Sequence, residues 1–205
     1  MSIRFTHALL SAAPAALIFA ASPAAAQLGG VNPFSFGVSA GAAVPVGDFG
    51  DGLKTGYSVD GIIGVRVPTS PVSFRGEVGY TRFGFKNSAF DEGDNVDANL
   101  NFISGVANLV LGVPAGPTAV VRPYVIGGVG LYSGRVSVSG GGATVSSDRE
   151  NKVGFNGGVG LEIPLSGITG MGEVRFVSVR TKSDSDSGLL PVNANHVAIR
   201  FGVRF

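Results

Sequence analysis

The chain has 205 residues, of which 33 are glycine and none is cysteine, and 15 basic against 14 acidic residues leave it nearly neutral. The lack of cysteine excludes disulfides, thiolate metal sites and cysteine nucleophiles. The balanced charge gives no reason to expect a nucleic-acid partner. The glycine content disfavours helix, because each interior glycine costs about 1 kcal/mol relative to alanine.

The N-terminal stretch, residues 1–26, has the pattern of a secretory signal peptide. It starts with Arg4 and His7, continues with an apolar run of 14 residues and ends in three alanines. A transmembrane helix is the alternative, but the run contains a proline and a span needs about 20 residues. We therefore predict cleavage after Ala26 and a single domain over residues 27–205.

The rest of the chain shows alternating apolar and polar residues, broken by Gly, Pro, Asn and Asp, which indicates strands. Most of these runs exceed the 5–6 residues typical of soluble strands and match the length of a bilayer-spanning strand, about 9–11 residues. We predict eight strands, at residues 34–46, 55–67, 72–86, 98–111, 120–136, 152–163, 171–181 and 194–205.

Two of the eight runs have ambiguous faces. In 98–111 the apolar positions change face near Ile103, which suggests a β-bulge. In 120–136 both faces are apolar or glycine, so the pattern does not distinguish inside from outside.

The connections between the predicted strands alternate between short and long. Short turns follow the second, fourth and sixth strands, and longer polar loops follow the others. This pattern is typical of an outer-membrane barrel with short periplasmic turns and long extracellular loops. We predict an all-β, eight-stranded antiparallel up-and-down transmembrane barrel with both termini on the periplasmic side. A secreted β-sandwich is the alternative, with shorter strands.

An eight-stranded barrel has an interior just wide enough to be filled by side chains. Charges of both signs occur at predicted inward positions, so we expect a lumen network of ion pairs. These predicted network residues are Arg66, Arg75, Glu77, Glu162, Glu173, Arg175, Arg200 and Arg204.

Aromatic residues gather near the ends of the predicted strands, as in the interfacial girdles of membrane barrels. The predicted periplasmic girdle consists of Phe34, Phe36, Phe74, Tyr124 and Phe205. The predicted outer girdle consists of Tyr57, Tyr80, Phe83, Phe85, Phe102, Tyr132 and Phe155.

The C-terminal strand ends in alternating apolar residues and a terminal aromatic, Ile199, Phe201, Val203 and Phe205. Together with the segment RPYVIGGVGLY (122–132), this strand resembles the small outer-membrane β-barrel family that includes OmpA-like, OmpX-like and OmpW-like barrels. In that family the C-terminal pattern is the signal for the barrel-assembly machinery. The resemblance therefore implies that these four residues are an assembly signal, and that lipid and lipopolysaccharide surround a monomeric barrel.

Enzymatic and metal-dependent functions find little support in the sequence. Some barrels of this kind are lipid A deacylases with a serine close behind the histidine, but Val197 and Ala198 follow His196. Asp184 and Asp186 lie in a stretch without calcium-loop spacing. We expect no enzymatic activity, cofactor or metal. A structural or loop-mediated interaction role comes first, and an OmpW-like narrow conduit for small hydrophobic molecules is the alternative.

Overall fold

The computed structural model describes residues 33–86, 97–113, 120–140, 143–147, 149–180 and 193–205. These residues form nine strands and one short helix, α1, and no helix among them is long and apolar enough to cross a membrane. The elements are β1 (Phe34–Pro45), α1 (Asp48–Gly52), β2 (Gly56–Arg66), β3 (Val72–Gly84), β4 (Asp97–Gly112), β5 (Arg122–Gly140), β6 (Ala143–Ser146), β7 (Glu150–Leu165), β8 (Ile168–Arg180) and β9 (Asn193–Arg204).

Eight of the strands form a closed antiparallel barrel, as the sequence predicts. Each barrel strand pairs with the next along the chain, and β1 closes the ring by pairing with β9. At the seam, Phe36 and Phe205 exchange two backbone hydrogen bonds of 2.9 Å. Closure gives each of these eight described strands a hydrogen-bonded partner on both sides. A β-sheet in lipid requires this, because its backbone N–H and C=O groups have no water to bind. Below, the end of the barrel that holds Phe36 and Phe205 is called the terminal end, and the opposite end the loop end.

The two connections at the terminal end that are described in full are short: residues 67–71 join β2 to β3, and residues 166–167 join β7 to β8. β7 and β8 are joined by a two-residue turn in which Gly167 has a φ of 84°, a conformation that favours glycine. At the loop end, β6 pairs with the extended end of β5 outside the eight-stranded ring. The helix α1 also lies at the loop end, between β1 and β2. The sequence predicts neither β6 nor α1.

The alternation along the strands sets which side chains face the lumen. On β2 the buried side chains, which face inward, alternate with exposed ones. The buried set is Ser58, Asp60 and Ile62, and the exposed set is Tyr57, Val59 and Ile63. On β5 the buried positions are Tyr124, Ile126 and Tyr132, which settles the face assignment that the sequence left open.

The expected bulge near Ile103 is wrong. β4 pairs in continuous register with β3 and with β5, and Leu100, Phe102 and Ser104 all face inward. The same face of β4 points inward along the whole strand. The residues on that face change from apolar to polar because the lumen around them changes from apolar to polar. Near the loop end the lumen is apolar, so Leu100 and Phe102 point in and the polar Asn101 points out.

The aromatic girdles are only partly as predicted. Side chains of seven of the predicted residues are exposed on the outer surface: Phe34, Phe36, Tyr57, Phe74, Tyr80, Phe155 and Phe205. Four others were assigned to the girdles wrongly, because they are buried inside the barrel: Phe83, Phe102, Tyr124 and Tyr132. Phe85 is partly buried and packs against the same interior side chains. Aromatic residues near a strand end therefore serve the lumen as well as the interface.

Candidate functional site in the barrel interior

The middle of the lumen holds six charged side chains, here called the central charge cluster. They come from two pairs of adjacent strands, β2 with β3 and β8 with β9, which β1 separates, and each residue is no more than 6% exposed. Three are acids and three are arginines, so the formal charges of the cluster cancel. The members are Asp60, Arg75, Glu77, Glu173, Arg175 and Arg200.

Glu77 and Arg175 form the bidentate pair of the cluster. The two guanidinium Nη atoms of Arg175 donate to the two carboxylate oxygens of Glu77 at 2.6 and 2.8 Å. Arg200 lies beside the pair, with Nη1 3.4 Å from Glu77 and 3.0 Å from Asp60. Bidentate geometry of this kind is the strongest arrangement for an arginine and a carboxylate.

Glu173 contacts arginines from both pairs of strands that carry the cluster, β2 with β3 and β8 with β9. It accepts from Arg75 at 2.9 Å and from Arg200 at 2.8 Å, and it also contacts Nε of Arg175. The hydroxyl of Tyr124 donates to the same carboxylate at 2.8 Å. Because arginines from β3, β8 and β9 share this one group, Glu173 braces the barrel across its lumen.

A second ion pair lies nearer the terminal end. Arg204 donates to Glu162 at 2.5 Å, and Nη2 of Arg75 is 3.7 Å from the same carboxylate. The Arg75 guanidinium also lies 5.2 Å from the centre of the Tyr124 ring, within the range of a cation–π contact. Arg75 thus connects the central cluster with the outer pair.

Inward glycines provide the space that these long side chains occupy. A Cβ at Gly160 on β7 would overlap the ring of Tyr124, and a Cβ at Gly158 would overlap first the backbone oxygen of Val174 and then Arg175. The glycine-rich sequence of β7 is therefore matched to the large residues of its neighbours.

Because the central charge cluster is buried, it is stable only when every charge in it has a partner of opposite sign. An isolated charge removed from water costs several kcal/mol, and partners recover this cost only with good geometry. Ion pairs of 2.6–3.0 Å link the six residues, whereas Nε of Arg75 and Nε of Arg200 have no hydrogen-bond partner among the described residues.

The loop-end half of the lumen is apolar, and its buried residues are here called the loop-end apolar cluster. Phe49 of α1 reaches into this half and packs edge-on against Phe83, with ring centres 5.3 Å apart. Phe83 also contacts Phe102 and His196 edge-on. The cluster consists of Ala43, Phe49, Leu53, Phe83, Leu100, Phe102, Tyr132, Val177, Val179 and Ala194.

A polar cavity of about 30 Å³ lies between the two clusters. Ser58, Asn156 and His196 line it, and each has a buried polar atom without a hydrogen-bond partner among the described residues. This volume and these donors and acceptors suit one or two water molecules.

The structure brings together most of the residues predicted for the lumen network. Arg75, Glu77, Glu173, Arg175 and Arg200 join in the central cluster, and Glu162 and Arg204 form the pair at the terminal end. Arg66 was predicted there wrongly, because it lies at the very end of β2 and is exposed.

Sequence reasoning missed two members of the site. Asp60 lies on the inward face of β2, and that position alone was a sufficient signal. Tyr124 was assigned to the rim because it is aromatic and near a strand end, although β5 gave no clear face.

The four residues of the proposed assembly signal occupy the outer face of the last strand. Ile199, Phe201, Val203 and Phe205 are all exposed, and Phe201 is 69% exposed. Lumen-facing Arg200 and Arg204 alternate with them.

Metal binding receives no support from the described part of the chain, where no group of three or more His, Asp or Glu side chains is placed to hold an ion. Asp184 and Asp186 lie outside the described residues.

Comparison with known proteins identifies the fold family. A family model described as "Outer membrane protein beta-barrel domain" matches residues 11–205. A search of curated protein sequences finds no significant match.

Solved structures with the same fold come from several bacteria. Neisserial surface protein A aligns with a TM-score of 0.57 at 20% identity, over 85% of this chain and 97% of that one. A major outer membrane protein from Thermus thermophilus gives 0.56 at 16%, covering 85% and 99%. OprG from Pseudomonas aeruginosa gives 0.51 at 13%, covering 86% and 98%. The chain belongs to the outer-membrane β-barrel family, and its fold is that of the small eight-stranded members.

Proposed function

We propose that this protein is a non-enzymatic structural barrel of the outer membrane whose lumen is closed by its own side chains. The observation that carries the proposal is the neutral, buried central charge cluster, in which Glu173 joins arginines of β3, β8 and β9. The loop-end apolar cluster adds a second barrier above it. A solute would have to displace both.

Solute flux into liposomes tests the proposal. Proteoliposomes containing the wild type should swell in small sugars no faster than empty liposomes, while a porin in parallel liposomes should swell rapidly. Sugar entry at a porin-like rate would overturn the proposal.

A narrow conduit for small hydrophobic molecules is the second candidate. The apolar character of the loop-end half of the lumen favours it, because Phe83, Phe102 and Leu100 would suit an apolar solute. In the same liposomes, an apolar fluorescent solute distinguishes the candidates. Saturable entry that is lost in Phe102→Asp would favour the conduit, whereas entry at the rate of the lipid alone supports the structural role.

We also propose that the protein has no enzymatic activity. His196 is 6% exposed and packs against Phe83 within the lumen, so it does not face the surrounding lipid. Hydrolysis of lipid A acyl chains by the wild type, lost in His196→Ala, would contradict this point.

Export and assembly complete the proposal. We infer cleavage after Ala26, which N-terminal sequencing of membrane-extracted protein tests, with Gln27 as the expected first residue. We also propose that Phe205 and the outward residues before it bind the assembly machinery. Deleting Phe205 should lower the fraction inserted in the outer membrane and leave signal cleavage unchanged. The matched control is Phe176→Ala, which removes a similarly exposed aromatic from the outer face of β8.

A further inference from the structure

Three arginines occupy inward positions where strands begin or end at the terminal end of the barrel. Arg66 is the last residue of β2, Arg122 is the first of β5, and Arg204 is the last of β9. Each continues the inward set of its strand, because inward and outward positions alternate. Arg66 and Arg122 are exposed at the opening, whereas Arg204 is 8% exposed. We call these three residues the terminal arginine ring.

The ring surrounds the lumen, because its three strands are spread around the barrel. Two strands separate β2 from β5, two separate β5 from β9, and one separates β9 from β2. The interior of an eight-stranded barrel is only wide enough for side chains, so these arginines approach the barrel axis from three sides. The charges of Arg66 and Arg204 repel each other across this opening.

Carboxylates are scarce at the terminal end. The connections there, residues 67–71, 113–121 and 166–167, contain no Asp or Glu, and neither does the segment 27–33 before β1. Of the 14 acidic residues of the chain, three belong to the central charge cluster and ten lie in or beside the loop-end connections. Only Glu162 remains at the terminal end, so the side chains of the ring exceed it by two positive charges.

The ring has hydrogen-bond donors that lack acceptors. Among the ion pairs that join described residues, none includes Arg66 or Arg122. Arg204 donates to Glu162 through Nη2, but its buried Nε has no partner in the described part of the chain. A buried donor without an acceptor is costly, so an anion that enters from the terminal end would relieve this cost.

A tetrahedral oxyanion matches the ring better than a carboxylate does. A phosphate monoester carries a charge of about −1.5 to −2 at neutral pH and has three strong acceptor oxygens. This charge balances the excess of the ring, and the three oxygens can face donors on three sides. A carboxylate has two acceptor oxygens on one carbon, which suit a single guanidinium fork.

We propose that the terminal arginine ring is a binding site for the phosphate group of a soluble phosphate or phosphate ester. The ring opens along the barrel axis, at the end that we predict to face the periplasm, so a soluble anion reaches it without crossing lipid. The central charge cluster lies behind the ring, and the anion is therefore held at the mouth. The binding does not depend on whether the lumen conducts.

Titration of inorganic phosphate with the folded protein in an uncharged detergent, followed by phosphorus NMR line broadening, tests the site. The wild type should broaden the phosphate signal in a saturable way. Arg66→Gln with Arg122→Gln should weaken binding by about tenfold for each arginine removed. The matched control is Arg82→Gln with Arg135→Gln, which removes two outward arginines near the loop end and should leave binding unchanged. Heat-dependent gel migration confirms folding of each variant.

A variant with the opposite expected sign separates binding from a purely structural role. Glu162→Gln removes the only carboxylate at the terminal end and frees Arg204, so phosphate affinity should rise severalfold. Sulfate should compete with phosphate in this assay, whereas succinate, a dianion with planar carboxylates, should compete weakly.

Bilayers distinguish a soluble phosphate from a lipid head group as the occupant. The same titration in nanodiscs of phosphatidylglycerol should retain saturable phosphate binding. Loss of binding there, with binding retained in detergent, would assign the ring to phospholipid head groups and overturn the soluble ligand.

Three further outcomes would overturn the proposal. They are no saturable binding by the wild type, equal losses in the two arginine double variants, and competition by succinate as strong as that by sulfate. If Arg66→Gln with Arg122→Gln fails to fold, the two single variants at these exposed positions carry the test.

Discussion

The middle and the loop-end half of the lumen are filled by opposite chemistries within one barrel. The middle holds six buried charges that cancel, whereas the loop-end half holds phenylalanine, leucine and valine around Phe49 of α1. Most residues of both sets occupy inward positions on strands whose side chains alternate between the lumen and the outer surface. The comparison teaches that an inward face is defined by geometry, and that its polarity changes with depth.

The two halves should also respond differently to mutation. In the middle, each charge depends on several partners, so removing one leaves others uncompensated. In the loop-end half, the cost of a deletion follows the volume removed.

The largest effect is expected for Glu173→Ala. Arg75, Arg200 and Tyr124 all donate to this carboxylate, so its loss should destabilise the barrel by about 3–5 kcal/mol. Denaturant unfolding in lipid, followed by gel migration, measures the change. Glu162→Ala is the comparison variant: one arginine, Arg204, donates to its carboxylate and its side chain is 13% exposed, so its loss should cost less than that of Glu173. Equal losses would mean that Glu173 does not hold the cluster together.

A smaller loss is expected in the loop-end apolar cluster. Leu100 is 1% exposed, and Leu100→Ala should cost about 3 kcal/mol through lost burial and a cavity. Ile103→Ala, on the outward face of the same strand and 43% exposed, should cost less. The same unfolding assay applies, and a larger loss for Ile103→Ala would contradict the assignment of faces on β4.

The smallest effect concerns the connection between Tyr124 and the cluster. Tyr124→Phe removes one hydrogen bond to Glu173 and keeps the ring over Gly160, so about 1–2 kcal/mol should be lost. Tyr132→Phe is the control, because Tyr132 belongs to the loop-end apolar cluster rather than to the partners of Glu173. A loss for Tyr124→Phe no greater than for the control would show that the hydroxyl is not part of the network.

The sequence was sufficient wherever the two faces of a strand differ in polarity. Strands such as β2 and β9 alternate apolar and polar residues over most of their length, so their faces could be predicted, although Asp60 was overlooked and Arg66 at the end of β2 was misplaced. It was insufficient on β5, where both faces are apolar or glycine because lipid and the lumen select similar residue types, and on β4, where the inward face changes from apolar to polar along the strand. Tyr124 was misplaced for the same reason.

The helix α1 at the loop end illustrates a second limit of prediction from the sequence. Phe49 lies in a polar stretch that has the composition of a loop, and only the barrel wall provides the apolar contacts that bury it. Such contacts between distant segments carry no periodic signal, so α1 could not be foreseen.

Single-channel recording in a planar bilayer tests the closed lumen most directly. The wild type should show negligible conductance, or only small and rare openings, because the central charge cluster and the loop-end apolar cluster both obstruct the lumen. Glu77→Ala should raise the frequency of openings by freeing Arg175. Steady, porin-like conductance of the wild type would contradict the account.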